Sequence, residues 1–157
     1  MRVNIYSDGS AKKDGRGGYG TVLQCNFNGE TKEKEIYDGY KNTTNNRMEL
    51  MGVIAGLKAI KYPCDVTVIT DSKYIVSAFN ENWICGWLKN NWRTAGKKPV
   101  KNRDLWESLI EEVNKMERVS FIWVKGHNGH PENERCDKLA NLAAKMKILK
   151  VDVETEM

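Results

Sequence analysis

The chain has little proline and little histidine, and no apolar run that approaches the ~20 residues needed to cross a bilayer. Its three prolines (Pro63, Pro99 and Pro131) lie far apart, so no Pro-rich linker divides it. The polar–apolar alternation that begins at Val3 leaves no room for the apolar centre of a secretory leader, and the cytoplasm is the expected compartment. Four cysteines (Cys25, Cys64, Cys85 and Cys136) form no CxxC pair and read as buried or idle thiols. Acidic residues are missing altogether between Asn82 and Arg103. That absence excludes the ordinary mixed-charge surface and calls for an anionic partner.

What is present is a globular composition. The 157 residues are 40% hydrophobic and 29% charged, with five Trp and six Tyr. A chain of this length buries about 70% of the surface its unfolded form exposes, and one domain of that size needs no disulfide or metal to hold a core. Net charge is +4, and the acid-free stretch holds six bases (Lys89, Arg93, Lys97, Lys98, Lys101 and Arg103). The remainder of the chain carries 19 bases against 21 acids. All of the positive excess therefore lies in one segment, where Trp83, Trp87 and Trp92 are interleaved. Bases beside indoles meet phosphates and stack on sugar or base planes, so the segment reads as a nucleic-acid contact.

Val3 to Ser7 reads as a strand that runs into Asp8, followed by a charged glycine loop over 12–18 and a strand over Tyr19–Phe27. Asn28-Gly29 signals a two-residue hairpin into a half-solvated strand over Thr31–Tyr40. Thr43 or Thr44 caps a helix through Ile60, with Leu50, Val53, Ile54, Leu57 and Ile60 on one face. The β-rich run Val66–Thr70 is a central strand, and Asp71-Ser72 starts a helix over Lys73–Phe79. A helix over Asp104–Met116, a strand over Val119–Val124 and a helix over Glu132–Lys147 complete the order, and the end from Asp152 reads as frayed. One mixed sheet flanked by helices follows, the first three strands antiparallel, with a single domain over 1–147 and a flexible tail over 148–157.

Four carboxylates stand out. Asp8 and Asp71 end strands at the side of the sheet where open α/β folds bind ligands. Glu49 shares its helix with Gly52 and Gly56, the mark of a helix pressed close to the sheet, and Asp137 opens the last helix beside apolar residues. Singly, each is as well explained by a cap or a surface charge. Together they would repel one another unless hard divalent cations such as Mg²⁺ supplied the counter-charge, and two such ions are the usual device for in-line phosphodiester displacement. The only histidines, His127 and His130, share one glycine-containing loop. Zinc binding with Cys136 lacks a fourth ligand. A structural role suits His130, and a proton-carrying role suits His127.

These segments resemble type 1 ribonuclease H. The resemblance lies in Tyr6-Ser7-Asp8-Gly9-Ser10, in 43–50 (TTNNRMEL), in Thr70-Asp71-Ser72 and in 123–137 (WVKGHNGHPENERCD). Residues 92–106 are similar to the basic protrusion of the bacterial members, here about 82–103. The resemblance implies a five-stranded ribonuclease H fold in a monomer that acts on RNA/DNA hybrids and has no membrane partner. It implies cleavage of the RNA strand to 5′-phosphate and 3′-hydroxyl ends, with two Mg²⁺ (or Mn²⁺) ions held by Asp8, Glu49, Asp71 and Asp137 and with His127 assisting proton movement or product departure. By position, Thr44 and Asn45 would lie near a DNA-strand phosphate, Asn46 near the RNA backbone, and Lys73, Trp83, Lys89, Trp92, Arg93, Lys97, Lys98 and Lys101 against the substrate. A resolvase-like nuclease of the same fold and a non-catalytic hybrid-binding module are the competing readings. Relatives often carry Asn-Pro-Gly-Pro-Gly-Gly after the first Asp and Gln after Asp-Ser. Here Lys12 and Lys13 lie in a shorter charged loop and Lys73 replaces the Gln, which predicts tighter and more salt-sensitive binding.

Overall fold

A computed structural model describes residues 1–126 and 130–152. Its elements are β1 (Arg2–Ala11), β2 (Gly17–Phe27), β3 (Glu30–Lys41), α1 (Asn45–Lys58), β4 (Asp65–Thr70) and α2 (Lys73–Asn80), then α3 (Trp83–Lys89), α4 (Arg103–Asn114), β5 (Arg118–Trp123), α5 (Pro131–Ala144) and β6 (Lys150–Val151). The sheet order is β5-β4-β1-β2-β3-β6. β1, β2 and β3 are antiparallel neighbours, and β4 and β5 add in parallel on the other side of β1. The β2–β3 turn has Asn28 and Gly29 both at positive φ, the conformation that lets a two-residue turn follow the twist of its strands.

Strand alternation decides the two faces. Val3 and Ile5 point into the core beneath α1, joined there by Val66, Val68 and Phe121 and closed by Trp106 and Leu109 of α4. α1 can lie this close because Gly52 has no side chain: a β-carbon there would strike the Ser7 hydroxyl. The Thr21 hydroxyl instead donates to the Gly52 carbonyl at 2.7 Å. α5 packs against β1, β2 and β3, and the Tyr6 phenol on the intervening register faces Glu132 and Cys136.

Several expectations are corrected. The sheet has six strands rather than five, because β6 pairs in parallel with the end of β3 (Tyr40 with Lys150, Lys41 with Val151). For the same reason the tail expected from residue 148 is anchored through Asp152, which is buried and ion-paired to Arg47 at 2.7 Å. Arg47, also buried, holds Asp104 at the start of α4, so one guanidinium ties together α1, α4 and the final strand. The acid-free stretch contains a helix, α3, that its sequence did not signal. α5 ends at Ala144, three residues earlier than expected, and Asp137 lies in its second turn rather than at its opening.

Candidate active site

The β1–β4 register brings the first two carboxylates together. Ser7 pairs with Thr70 in the last pair of that ladder, so Asp8 and Asp71 follow at the same level. Asp71 lies just past β4, but Asp8, expected to end its strand, is still inside β1 and paired with Gly20, because β2 continues alongside to Ala11. That level is the carboxyl edge where ligands bind in open α/β sheets. α1 supplies the third. Thr44 caps its N-terminus by accepting from the Arg47 N–H at 3.3 Å, and Glu49 follows one turn in. Gly9 allows the approach, since a β-carbon on it would collide with the Met48–Glu49 backbone. Carboxylate oxygens of Asp8, Glu49 and Asp71 all lie within 4.8 Å of one another. Asp137, one strand face away on α5, comes up beside Asp8 and with it lines a small cavity completed by Asp71, Gly126, Asn133 and Glu134.

Electrostatics follow from this crowding. Burial, then the Asp71 charge, pushes the Asp8 carboxyl up to about 8; the Gly9 N–H, donating at 2.8 Å, pulls the other way, and Asp137 adds to the rise. Burial pushes Glu49 up to about 7, against a hydrogen bond from Ser72 and with Asp71 adding. Ser72 also caps α2, accepting from the Ile75 N–H at 3.3 Å, so the residue after Asp71 serves both α2 and Glu49. The Trp123 indole N–H donates to the Asp71 carbonyl at 3.0 Å, and the Lys73 ammonium sits 4.6 Å from the centre of the Trp123 ring.

The donors are hard oxygens, and one of them, Asn133 Oδ1, is buried without a hydrogen-bond partner. A divalent cation with oxygen preference fits such a set. Zinc through Cys136 does not, because that thiol is fully buried and among the described residues it belongs to no cluster of three candidate ligands. His127 lies outside the described residues. His130 is the N-cap residue of α5, its carbonyl accepting from the Glu134 N–H at 2.9 Å.

The remaining candidates divide between surface and core. Thr44, Asn45 and Asn46 form an exposed polar corner, with Asn45 accepting from the Ala11 N–H at the end of β1. Trp83 is 42% exposed and, with Trp87, Arg93 and Thr94, lines a groove of about 430 Å³ beside α3. Lys89, Lys97, Lys98 and Lys101 are exposed around it, Lys97 and Lys98 on a tight turn closed by the Arg93–Pro99 bridge. Trp87 and Trp92 instead pack on the core, Trp87 edge-on to Trp106 at 5.2 Å and Trp92 under the Arg103 guanidinium. Stacking on substrate is therefore open to Trp83 far more than to them. Sequence reading overlooked Gly126, Asn133 and Glu134, although Asn133 and Glu134 stand four and three residues before Asp137, the spacing of one helix face.

A six-stranded mixed sheet of this order, with carboxylates gathered at the carboxyl edge of β1 and β4, defines a ribonuclease H-like α/β domain. Residues 1–145 match the family model described as RNase H, and the chain belongs to that family, one of hydrolytic nucleases. It is 53% identical over 147 residues to the ribonuclease H of Lachnoclostridium phytofermentans, covering 92% of each chain. To that of Nitratidesulfovibrio vulgaris it is 48% identical over 151 residues, covering 96% of this chain and 94% of the relative. Among solved structures, LC9-RNase H1, described as a type 1 RNase H with the type 2 active-site motif, superposes with a TM-score of 0.80. It is 32% identical, and the match covers 91% of this chain and 72% of that one.

Proposed function

We propose that the chain is an endoribonuclease that hydrolyses the RNA strand of RNA/DNA hybrids, leaving 5′-phosphate and 3′-hydroxyl ends. Asp8, Glu49, Asp71 and Asp137 are the residues that would hold two Mg²⁺ ions, with Mn²⁺ as a substitute. The observation that carries this reading is the convergence of Asp8, Glu49 and Asp71, from three elements of an RNase H-family chain, to within 4.8 Å. When bound, two such ions ~3.5–4 Å apart supply the charge stabilisation that in-line displacement at phosphorus requires. Asp8 lies with Glu49 and Asp71 and also lines a cavity with Asp137, so it would serve both ions. Ser72 orients Glu49, and His127 moves the proton of the departing group.

Substrate is held by its backbones. Thr44 and Asn45 meet a phosphate of the DNA strand, Asn46 the RNA strand, and Lys73 a phosphate close to Asp71. Trp83 with Lys89, Arg93, Lys97, Lys98 and Lys101 follows the DNA strand along the α3 groove, and Trp92 supports that surface from beneath. Contacts of this kind position a duplex without reading its sequence, while the 2′-hydroxyl separates RNA from DNA. One chain suffices as the catalytic unit, and the cytoplasm is its place of action. Among the described residues no helix is long and apolar enough to cross a membrane.

The test is incubation with end-labelled RNA/DNA, DNA/DNA and RNA/RNA duplexes in Mg²⁺ or EDTA. Cutting confined to the RNA of the hybrid and abolished by EDTA is expected. Cutting of DNA duplex would replace this reading with a resolvase-like nuclease, and binding without any cutting with a hybrid-binding module.

A further inference from the structure

Among the described residues, one buried side-chain oxygen or nitrogen has no hydrogen-bond partner, and it is Asn133 Oδ1. Buried polar atoms in folded proteins are almost always paired, so an unpaired one points to a group that joins it in the working molecule. Asn133 lines the cavity shared by Asp8 and Asp137, whose volume of about 10 Å³ is about the least that admits one water. It stands four residues before Asp137 on α5, which places the two side chains on one face of the helix. Gly126 keeps the opposite wall clear, since a β-carbon there would come within 2.6 Å of Asp71 Oδ2.

Once a bound cation holds the neighbouring carboxylates ionised, they only accept, and an acceptor among them cannot be satisfied by them. It needs a donor. A hydrated divalent cation brings one, because Mg²⁺ and Mn²⁺ sites built from few protein ligands retain water, and cation-bound water presents its protons outward. We propose that Asn133 is a further positioning residue of this site, its Oδ1 accepting from a water of the cation held between Asp8 and Asp137. Outer partners of this kind commonly contribute about 10- to 100-fold to metal affinity. The inference rests on the proposed metal-dependent function and deepens it.

The test is Mn²⁺ binding to the full chain without substrate, followed by electron paramagnetic resonance, with thermal unfolding in EDTA as a control on the fold. Asn133→Leu, which keeps bulk but removes the acceptor, should weaken Mn²⁺ about tenfold. Asn133→Asp, an acceptor at the same place, should bind Mn²⁺ at least as tightly as the parent chain. Equal affinity of parent and Asn133→Leu would overturn the inference. So would weakened binding by Asn133→Asp, since an amide N–H donor would then be what the site uses. If Asn133→Leu fails to fold, Asn133→Asp decides alone by the same outcome. Failure of the parent chain to bind Mn²⁺ would remove the proposed function as well, whereas binding indifferent to both substitutions would remove only the role of Asn133.

Discussion

The backbone amide of Glu49 occupies the place where a side chain on Gly9 would begin. Residue 9 follows Asp8, so the glycine of the first acidic motif is what lets the second acidic residue approach the first. Gly9→Ala should push α1 off β1 at its N-terminal turn, because the obstruction is backbone and cannot rotate away. A cost of about 1–3 kcal/mol in stability is expected. A loss of turnover larger than that cost predicts should accompany it, through separation of Glu49 from Asp8. Chemical denaturation and hybrid cleavage measured together would check this, and an Ala variant with parental activity would contradict the close-packing explanation.

Arg47 is 2% exposed and holds Asp152 and Asp104 simultaneously. Burial alone would make its charge harder to keep, but hydrogen bonds to the two carboxylates reverse the effect and raise its pKa. Asp152→Ala leaves the guanidinium half-paired and takes away the acceptor of the Thr43 hydroxyl, 2.7 Å distant. A loss of about 3 kcal/mol is expected, which lowers Tm by roughly 6–12 °C. A melt within 1 °C of the parent would show that the final strand is not part of the cooperative unit.

Much of this arrangement is written in local sequence, and the exceptions share a cause. The turn at Asn28-Gly29, the Thr44 and Ser72 caps and the Asp71 that follows β4 depend on neighbours within a few residues. Gly52 and Gly56 on one helix face foretell a helix pressed to the sheet, and a β-carbon on either would run into β1. β6 is only two residues long and is held by an ion pair between residues 105 apart, which no local pattern reveals. α3 is only seven residues, WICGWLK, apolar at five positions with a glycine at its centre, too short for a polar–apolar period to mark it as a helix. The inward turn of Trp87 and Trp92 follows from a core residue, Trp106, on another helix. Asn133 stood in view beside Asp137 but reads as polar helix surface until the cavity is seen.

Asp8 and Glu49 make the metal-free chain sensitive to pH. Burial, the largest cause for both, lifts them to about 8 and about 7, so the folded chain holds these protons more tightly than the unfolded chain. Their contribution to stability is full below about pH 4 and is lost as pH rises through 7 and 8. In EDTA, Asp8→Asn should therefore lose less Tm between pH 5 and pH 9 than the parent and melt above it at pH 9. Mg²⁺ should raise the parent's Tm at pH 9 more than the variant's. Parallel Tm–pH curves in EDTA would contradict the crowding of carboxylates described here.

Lys12 and Lys13 are exposed on the loop after β1, and Lys73 stands two residues beyond Asp71. If all three reach phosphates of the duplex, replacing them with Gln should flatten the slope of log affinity against log salt by about 2.7. Hybrid binding measured from 50 to 200 mM salt with the triple variant gives the comparison. Slopes that coincide would show that these lysines do not touch the substrate.

The most direct measurement is hybrid binding and hybrid cleavage by the Asp71→Asn chain beside the parent, in the same Mg²⁺ buffer. Asp71 lies in the carboxylate cluster and away from the α3 groove, so affinity should stay within about threefold while cleavage falls at least about a thousandfold. Cleavage at the parental rate, or loss of binding in step with loss of cleavage, would contradict a metal-dependent active site built on Asp8, Glu49, Asp71 and Asp137.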